Sequence, residues 1–402
     1  MPGTPVSPVS FINTEKAFRN KDDQELKRSL WLFRLLRNPF LVRVFSWLTI
    51  AALKLRLPVI SAIKATIYRQ FCAGETLTES LVVVKRLGRA GVGSILDYSV
   101  EGKKSEEDFE RTRDEVMSII AMAKGNPAIP YTSIKLSGLI RFSLLEKASA
   151  NIRLNDVELA EFLRAMERAE AIFAAARKAE IPVYIDAEES WIQYAIDALA
   201  EEWMKKYNHE RAVVLTTLQM YRWDRIDYLK KLIADARTEN YFIGIKLVRG
   251  AYLEKENKRA AEMNYRSPIH ASKEATDKDF DHAVDICLEN IDIVTLCAGT
   301  HNENSTLHLV TKMKELGIPN DHAHVYFSQL YGMSDHITYN LADSGYNVTK
   351  YLPYGPVEST VPYLVRRAEE NTAIAGQMGR ELKLILEEKE RRKTARMLLS
   401  GK

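Results

Sequence analysis

The stretch VELAEFLRAMERAEAIFAAARKAEIPVYIDAEE (157–189) decides the fold. Its first part, Val157–Lys178, carries apolar residues at helical spacing, the pattern of an amphipathic helix. A few residues later comes VYIDAE (Val183–Glu188), a short β-branched run that ends in acids. The order is therefore helix, turn, strand. Working outward, seven more runs of the same kind stand apart from one another: GSILDYS (Gly93–Ser99), SIKLSGL (Ser133–Leu139), VVLTTLQM (Val213–Met220), FIGIKLV (Phe242–Val248), IVTLCA (Ile293–Ala298), HVYFSQ (His324–Gln329) and NVTKYL (Asn347–Leu352). Helix-like text fills the intervals. Strands alternating with helices imply parallel pairing through crossovers. Eight such units predict an α/β protein of the (β/α)8 TIM-barrel type. A doubly wound open sheet is the rival architecture. GRAGVG (Gly88–Gly93) is glycine-rich, but it precedes a strand and has the wrong spacing for a dinucleotide fingerprint, so it reads as a helix-to-strand turn.

Of the 402 residues, 46% are apolar and 28% charged, the balance of a globular chain rather than a disordered one. The net charge of +3 argues against a nucleic-acid binder relying on bulk charge. The three cysteines, Cys72, Cys287 and Cys297, form no CxxC, which suggests neither a disulfide scaffold nor a structural zinc site. Asp321, His322 and His324 open the seventh strand, at the end of a barrel away from its chemistry, so no metal is expected. Met1 is followed by Pro, Gly, Thr and Pro, which does not read as a secretory signal.

Charge is unevenly spread. Residues 1–72 carry a net +8, which leaves −5 for the rest. From Ser29 to Phe71 there are seven basic residues and no acidic one, among large apolar side chains such as Trp31, Phe33, Phe40, Phe45 and Trp47. The longest uncharged stretch there, Val44–Leu53, has ten residues, and a spanning helix needs about 20. Residues 1–75 are therefore expected to form a basic amphipathic helical arm, and 76–402 the barrel. The arm either lies on an anionic membrane surface or packs on the barrel with its cations in water, and the two are compatible.

Barrel enzymes keep their reactive groups at the carboxyl ends of the strands. Those ends offer Lys135; Asp186, Ala187, Glu188 and Glu189; Gln219 and Tyr221; Lys246, Arg249, Gly250, Ala251 and Tyr252; Thr300, His301 and Asn302; Gln329, Leu330 and Tyr331; and Tyr351. A single lysine or glutamine at a strand end is usually just solvated; the collection is the signal. Past the eighth strand, Val361–Arg380 reads as one helix with Pro362 in its first turn. Tyr363, Arg366, Arg367 and Glu370 then share a face. Two arginines make a fork for a carboxylate, because a planar guanidinium binds both oxygens at once.

KLVRGAYLEKE (246–256), THN (300–302), QLYGM (329–333) and YLPYGPVESTVPYLVRRAEEN (351–371) resemble proline dehydrogenase, also called proline oxidase. SIKLSGL, IDAEE (185–189) and LQMY (218–221) fit the same family. The resemblance runs from about Leu81 to Asn371 and is closest to the short, single-function form. It implies a distorted (β/α)8 barrel with FAD held non-covalently at the strand ends. It implies that Lys135, Arg366 and Arg367 hold the substrate carboxylate, with Glu370 fixing an arginine. Asp186 and Ala187 would lie beside the flavin. Gln219 would bond its pyrimidine edge, and Lys246 would place a cation near N5. Many bacterial relatives have Arg at that position. Arg249, Gly250, Ala251, Thr300 and His301 would contact FAD, while Leu330, Tyr351 and Tyr363 press on the pyrrolidine ring.

The implied reaction is oxidation of L-proline to Δ1-pyrroline-5-carboxylate, with hydride passing from C5 to flavin N5. That is the first step of proline catabolism to glutamate, and the electrons pass on to a membrane quinone. The expected location is peripheral, on the cytoplasmic face of a bacterial inner membrane, or on the mitochondrial inner membrane in a eukaryote. Two alternatives stand beside this reading: a 4-hydroxyproline dehydrogenase, and a non-catalytic membrane-surface barrel.

Overall fold

The computed structural model describes residues 9–55, 58–100, 105–373 and 375–399. The first helices belong to the basic arm: α1 (Thr14–Phe18), α2 (Asp23–Leu36), α3 (Pro39–Lys54), α4 (Ile60–Ile63) and α5 (Arg69–Phe71), the last two joined by a π-helical turn over Lys64–Tyr68. Asp22 starts α2 with a capping box: its carboxylate accepts from the Glu25 N–H, and Glu25 reaches back to the Asp22 N–H.

Eight strands then form at the β-branched runs: β1 (Val92–Tyr98), β2 (Tyr131–Ile134), β3 (Val183–Ile185), β4 (Val214–Gln219), β5 (Ile243–Val248), β6 (Val294–Gly299), β7 (Val325–Leu330) and β8 (Val348–Tyr354). Every pairing is parallel and follows chain order. β8 closes on β1 in register from Val92↔Val348 to Tyr98↔Tyr354. Closure excludes the open doubly wound sheet, which would leave two unpaired edges. Strands buried on both faces read as apolar runs rather than alternations, which is why the runs stood out.

The remaining helices are α6 (Leu77–Gly88) before β1, α7 (Glu106–Ala123), α8 (Phe142–Ser149), α9 (Asp156–Ala179), α10 (Ser190–Tyr207), α11 (Arg225–Glu239), α12 (Leu253–Glu262), α13 (Lys273–Glu289), α14 (Glu303–Glu315), α15 (Asp335–Asp343), α16 (Val357–Ala373) and α17 (Ala375–Leu399). GRAGVG is the turn from α6 into β1, with Gly91 at φ +73. α9 covers the long helical text around 157–178. A capping box between Asn155 and Glu158 starts it, and Glu180 ends it in the left-handed region. The single helix expected over 361–380 falls on two helices, α16, which begins earlier, at Val357, and the start of α17, which carries Arg380; Pro362 therefore lies beyond the first turn of α16. There it has no N–H to give the Glu358 carbonyl.

The main core joins strand residues such as Ile185, Leu218, Ile245, Leu296 and Phe327 to the inner faces of the surrounding helices. Inside the barrel, Ile95, Tyr131, Tyr184, Leu215 and Cys297 form a separate plug. The Tyr131 ring lies 5.1 Å from Tyr184 and 4.8 Å, edge on, from Tyr326. This plug closes the barrel below the catalytic end.

The helix after β8 does not join the main core. Val357, Val361 and Leu364 of α16 pack with Leu382 and Ile385 of α17 and with Phe18, Leu26, Phe33, Leu36 and Phe71 of the arm. One face of the arm is therefore part of an apolar core. Its outer face leaves Trp31, Phe40, Phe45 and Trp47 about half or more exposed. Among the described residues no helix is long and apolar enough to cross a membrane.

Candidate active site

A cleft of about 700 Å³ opens at the carboxyl ends of the strands. Lys135, Asp186, Ala187, Gln219, Lys246, Arg249, Gly250, Ala251, Thr300, His301, Leu330, Tyr351, Tyr363, Arg366 and Arg367 all line it. The side chain of Glu370 lies outside the described ones. His322 and His324 precede β7, at the opposite end of the barrel.

The floor is built on Asp186, just past β3. Lys246, from inside β5, makes a short ion pair with it. The Tyr351 hydroxyl donates to its other oxygen at 2.6 Å and accepts from Ser133 at 3.3 Å. The Lys246 ammonium sits 5.0 Å from the ring centres of both Tyr184 and Tyr351, over the aromatic plug. Lys246 is 4% exposed, so its charge needs the carboxylate nearby. Burial, and then Asp186 and Asp97, push the Tyr351 phenol well above its ordinary value, so it remains a donor. Lys135 lies one residue past β2, 3.6 Å from Asp97.

One wall comes from β5 and β6. Arg249 donates to Asp277 at 2.6 Å, to Thr300 at 2.6 Å and to Ser305 at 2.9 Å, and stacks on Phe280 at 4.6 Å. Asn302 caps α14, accepting from the N–H groups of Asn304 and Ser305, which explains the THN triplet. Gly250 has φ +134, and a Cβ there would come within 2.6 Å of the Tyr221 ring, so only glycine lets this backbone lie flat on the tyrosine. Gln219 donates one amide N–H to the Glu188 carbonyl at 2.7 Å and accepts from the Ala251 N–H at 3.2 Å. A second N–H and a second lone pair are left for a ligand. His301 shares a hydrogen bond with Ser334 at 3.0 Å. Burial, then the charges of Lys350 and Arg367, hold its imidazole well below the usual range and keep it neutral.

The other wall is α16. Arg367 lies 5.4 Å from the Tyr363 ring and Arg366 5.9 Å from the Tyr252 ring. Behind the floor, Glu188 accepts from the Ser137 N–H at 3.0 Å and from its hydroxyl. Burial, and then the like charge of Glu189, raise Glu188 to about 7.

Sequence reasoning missed a further group. Glu303 on α14 bonds His336 of α15 at 3.0 Å and Arg380 of α17 at 2.8 Å, and all three line the cleft. Against burial, which would raise it, the hydrogen bonds from His336 and Arg380 hold Glu303 at about 2. The residues come from three helices distant in sequence, and only Glu303 adjoins a motif that drew attention. Lys273 and Ser328 also line the cleft without having been singled out.

A closed parallel barrel with a polar cleft at its strand ends, set over a buried Lys–Asp–Tyr constellation, has the architecture of a (β/α)8-barrel enzyme. A family profile for proline dehydrogenase matches residues 81–380. The chain is similar to the carbapenem antibiotics biosynthesis protein CarD of Pectobacterium carotovorum subsp. carotovorum, 34% identical over 80% of this chain and 83% of that protein. It is also similar to hydroxyproline dehydrogenase of Xenopus laevis, 30% identical over 93% of this chain and 88% of that one. Among solved structures, proline utilization A from Bdellovibrio bacteriovorus superposes with a TM-score of 0.70 at 19% identity, over 92% of this chain and 40% of that one, a likeness of fold. The chain belongs to the proline dehydrogenase family.

Proposed function

We propose that the cleft binds FAD without a covalent link and oxidises L-proline to Δ1-pyrroline-5-carboxylate. The observation that carries this reading is the convergence on one cleft of Lys135, Arg366 and Arg367 with the Lys246–Asp186–Tyr351 cluster. The donor set fits a flavin dinucleotide. Gln219, Lys246 and the backbone at Gly250–Ala251 can meet the polar edge of its ring, and Arg249, Thr300, His301 and Ala187 line the space where the rest would lie. Bound FAD supplies the two-electron acceptor for the substrate C–H bond.

The chain's own residues bind and orient. Lys135, Arg366 and Arg367 are the ligands for a small carboxylate, and a bidentate guanidinium fixes its plane as well as its position. Leu330, Tyr351 and Tyr363 supply the apolar walls for a five-membered ring. The substrate amine must be unprotonated for its lone pair to assist oxidation. The cations around the cleft favour that neutral form by like-charge repulsion. Asp186 is engaged by Lys246 and Tyr351, which keeps Tyr351 on the floor.

Electrons leave, on this reading, to a membrane quinone. The exposed Trp31, Phe40, Phe45 and Trp47, interleaved with Arg34, Arg37 and Arg43, support peripheral docking on an anionic inner-membrane surface. In a bacterium that is the cytoplasmic face, and in a eukaryote the mitochondrial inner membrane.

A second reading, 4-hydroxyproline oxidation, is favoured by the likeness to the Xenopus laevis hydroxyproline dehydrogenase. Against it stands Tyr351, tied through its hydroxyl to Asp186 and Ser133, which on this reading holds its ring in the space a 4-hydroxyl would need. The test is dye-linked turnover of L-proline and of trans-4-hydroxy-L-proline. L-Proline is expected to have the higher kcat/KM. A preference for the hydroxylated substrate would hand the site to the second reading.

A further inference from the structure

The loop from β7 to α15, Leu330–Asp335, is anchored from outside the barrel. Its first residue, Leu330, lines the cleft. The arm reaches it twice. Gln70 donates its amide N–H to the Gly332 carbonyl at 2.7 Å, and Lys21 pairs with Asp335 at 2.8 Å. Asp335 also pairs with Lys350 of β8 at 2.9 Å. Lys350, 1% exposed, in turn donates to the Met333 carbonyl and, at 3.5 Å, to that of Leu330. Gly332 has φ +81, and a Cβ there would meet the Gln70 carbonyl at 2.0 Å, so arm and loop touch backbone to backbone.

Two other elements hold the same loop. Arg86 of α6 donates to the Tyr331 hydroxyl at 2.7 Å and pairs with Glu25 of α2 at 3.1 Å. The Ser334 N–H donates to Glu381 of α17. A loop carrying a cleft residue would ordinarily be the most mobile part of a barrel. Here its carbonyls and its acid are bound by the arm and by a buried lysine.

We propose that Gln70 and Lys21 are positioning residues. Through Gly332 and through Asp335–Lys350, the N-terminal arm sets the loop in the form that presents Leu330 to the substrate ring. The arm is thus a working part of the substrate site, although none of its residues touches the substrate. This rests on the proposed function for its kinetic readout only. Breaking one tie loosens the loop without emptying a core, so the carboxylate fork still binds but the ring loses its wall. Substrate affinity falls more than turnover.

The test uses the full-length protein with Gln70→Ala, Lys21→Met, Lys21→Arg, Leu330→Ala and the double variant Gln70→Ala/Leu330→Ala. Amide exchange at residues 331–335 reads the latch independently of activity. It is expected to accelerate in Gln70→Ala and Lys21→Met and to return toward wild type in Lys21→Arg; unchanged exchange overturns the proposal. In steady state, Gln70→Ala is expected to raise the KM for L-proline about three- to thirtyfold, with kcat within about twofold. In the Leu330→Ala background it should add almost nothing, because the residue it acts through is gone. An unchanged KM, or additive effects in the double variant, overturns the proposal. A wild-type protein that does not oxidise proline would instead contradict the functional reading, with the exchange result still deciding the latch.

Discussion

Arg367 is 9% exposed and borders the cleft, so a charge lost there is not replaced by solvent. Arg367→Met is expected to cost about 2–5 kcal/mol of substrate binding, seen mainly as a raised KM for proline. An unchanged KM would mean the arginine does not meet the carboxylate. Glu188 gives a pH-dependent counterpart. Its folded value of about 7 lies above the unfolded value of about 4.3. The native state therefore binds this proton more tightly. The stability it brings is complete below about pH 4.3 and is lost as pH rises through about 7. Glu188→Gln, which keeps a neutral group there, should gain in Tm relative to wild type between about pH 5 and about pH 8. A constant Tm difference across that range would contradict this. At this scale the strand-end residues were legible, because a polar group at the end of an apolar run has few structural reasons to be there. Glu303, His336 and Arg380 were not. Each is a common residue of a helix surface, and only packing brings them to one another.

At the scale of elements, the eight strands were legible because double-sided burial writes each as a compact β-branched run, and capping residues such as Asn155 mark where crossover helices begin. What did not show was where α16 goes. Its pattern declares one apolar face, but not that this face meets the arm and α17 instead of the barrel wall. The same limit applies to α2, where Leu26, Leu30 and Phe33 announce a buried face without naming its partner. The arm–barrel contact makes a prediction of its own. Gly332→Ala puts a Cβ into both a left-handed conformation and the Gln70 carbonyl, and is expected to destabilise the fold by about 1–3 kcal/mol. A Tm equal to wild type in thermal melts would show that the loop can shift without cost.

For the whole molecule, the arm serves two faces at once, one in the second apolar core and one in solvent. Deleting it would uncover Val357, Val361, Leu364, Leu382 and Ile385, so surface substitutions are the cleaner probe of docking. Phe40→Ser with Trp47→Ser, at side chains 72% and 68% exposed, is expected to leave Tm unchanged and to reduce co-sedimentation with anionic vesicles. Equal pelleting of variant and wild type, at low and high salt, would remove α3 from membrane attachment. What the cleft binds and oxidises is decided by one spectrum of the purified protein. A yellow flavin band should be present and should bleach when L-proline is added without oxygen, and acid precipitation should release all the flavin into the supernatant. A protein without a flavin band after supplementation with FAD, or a bound flavin that proline leaves oxidised, would contradict the account.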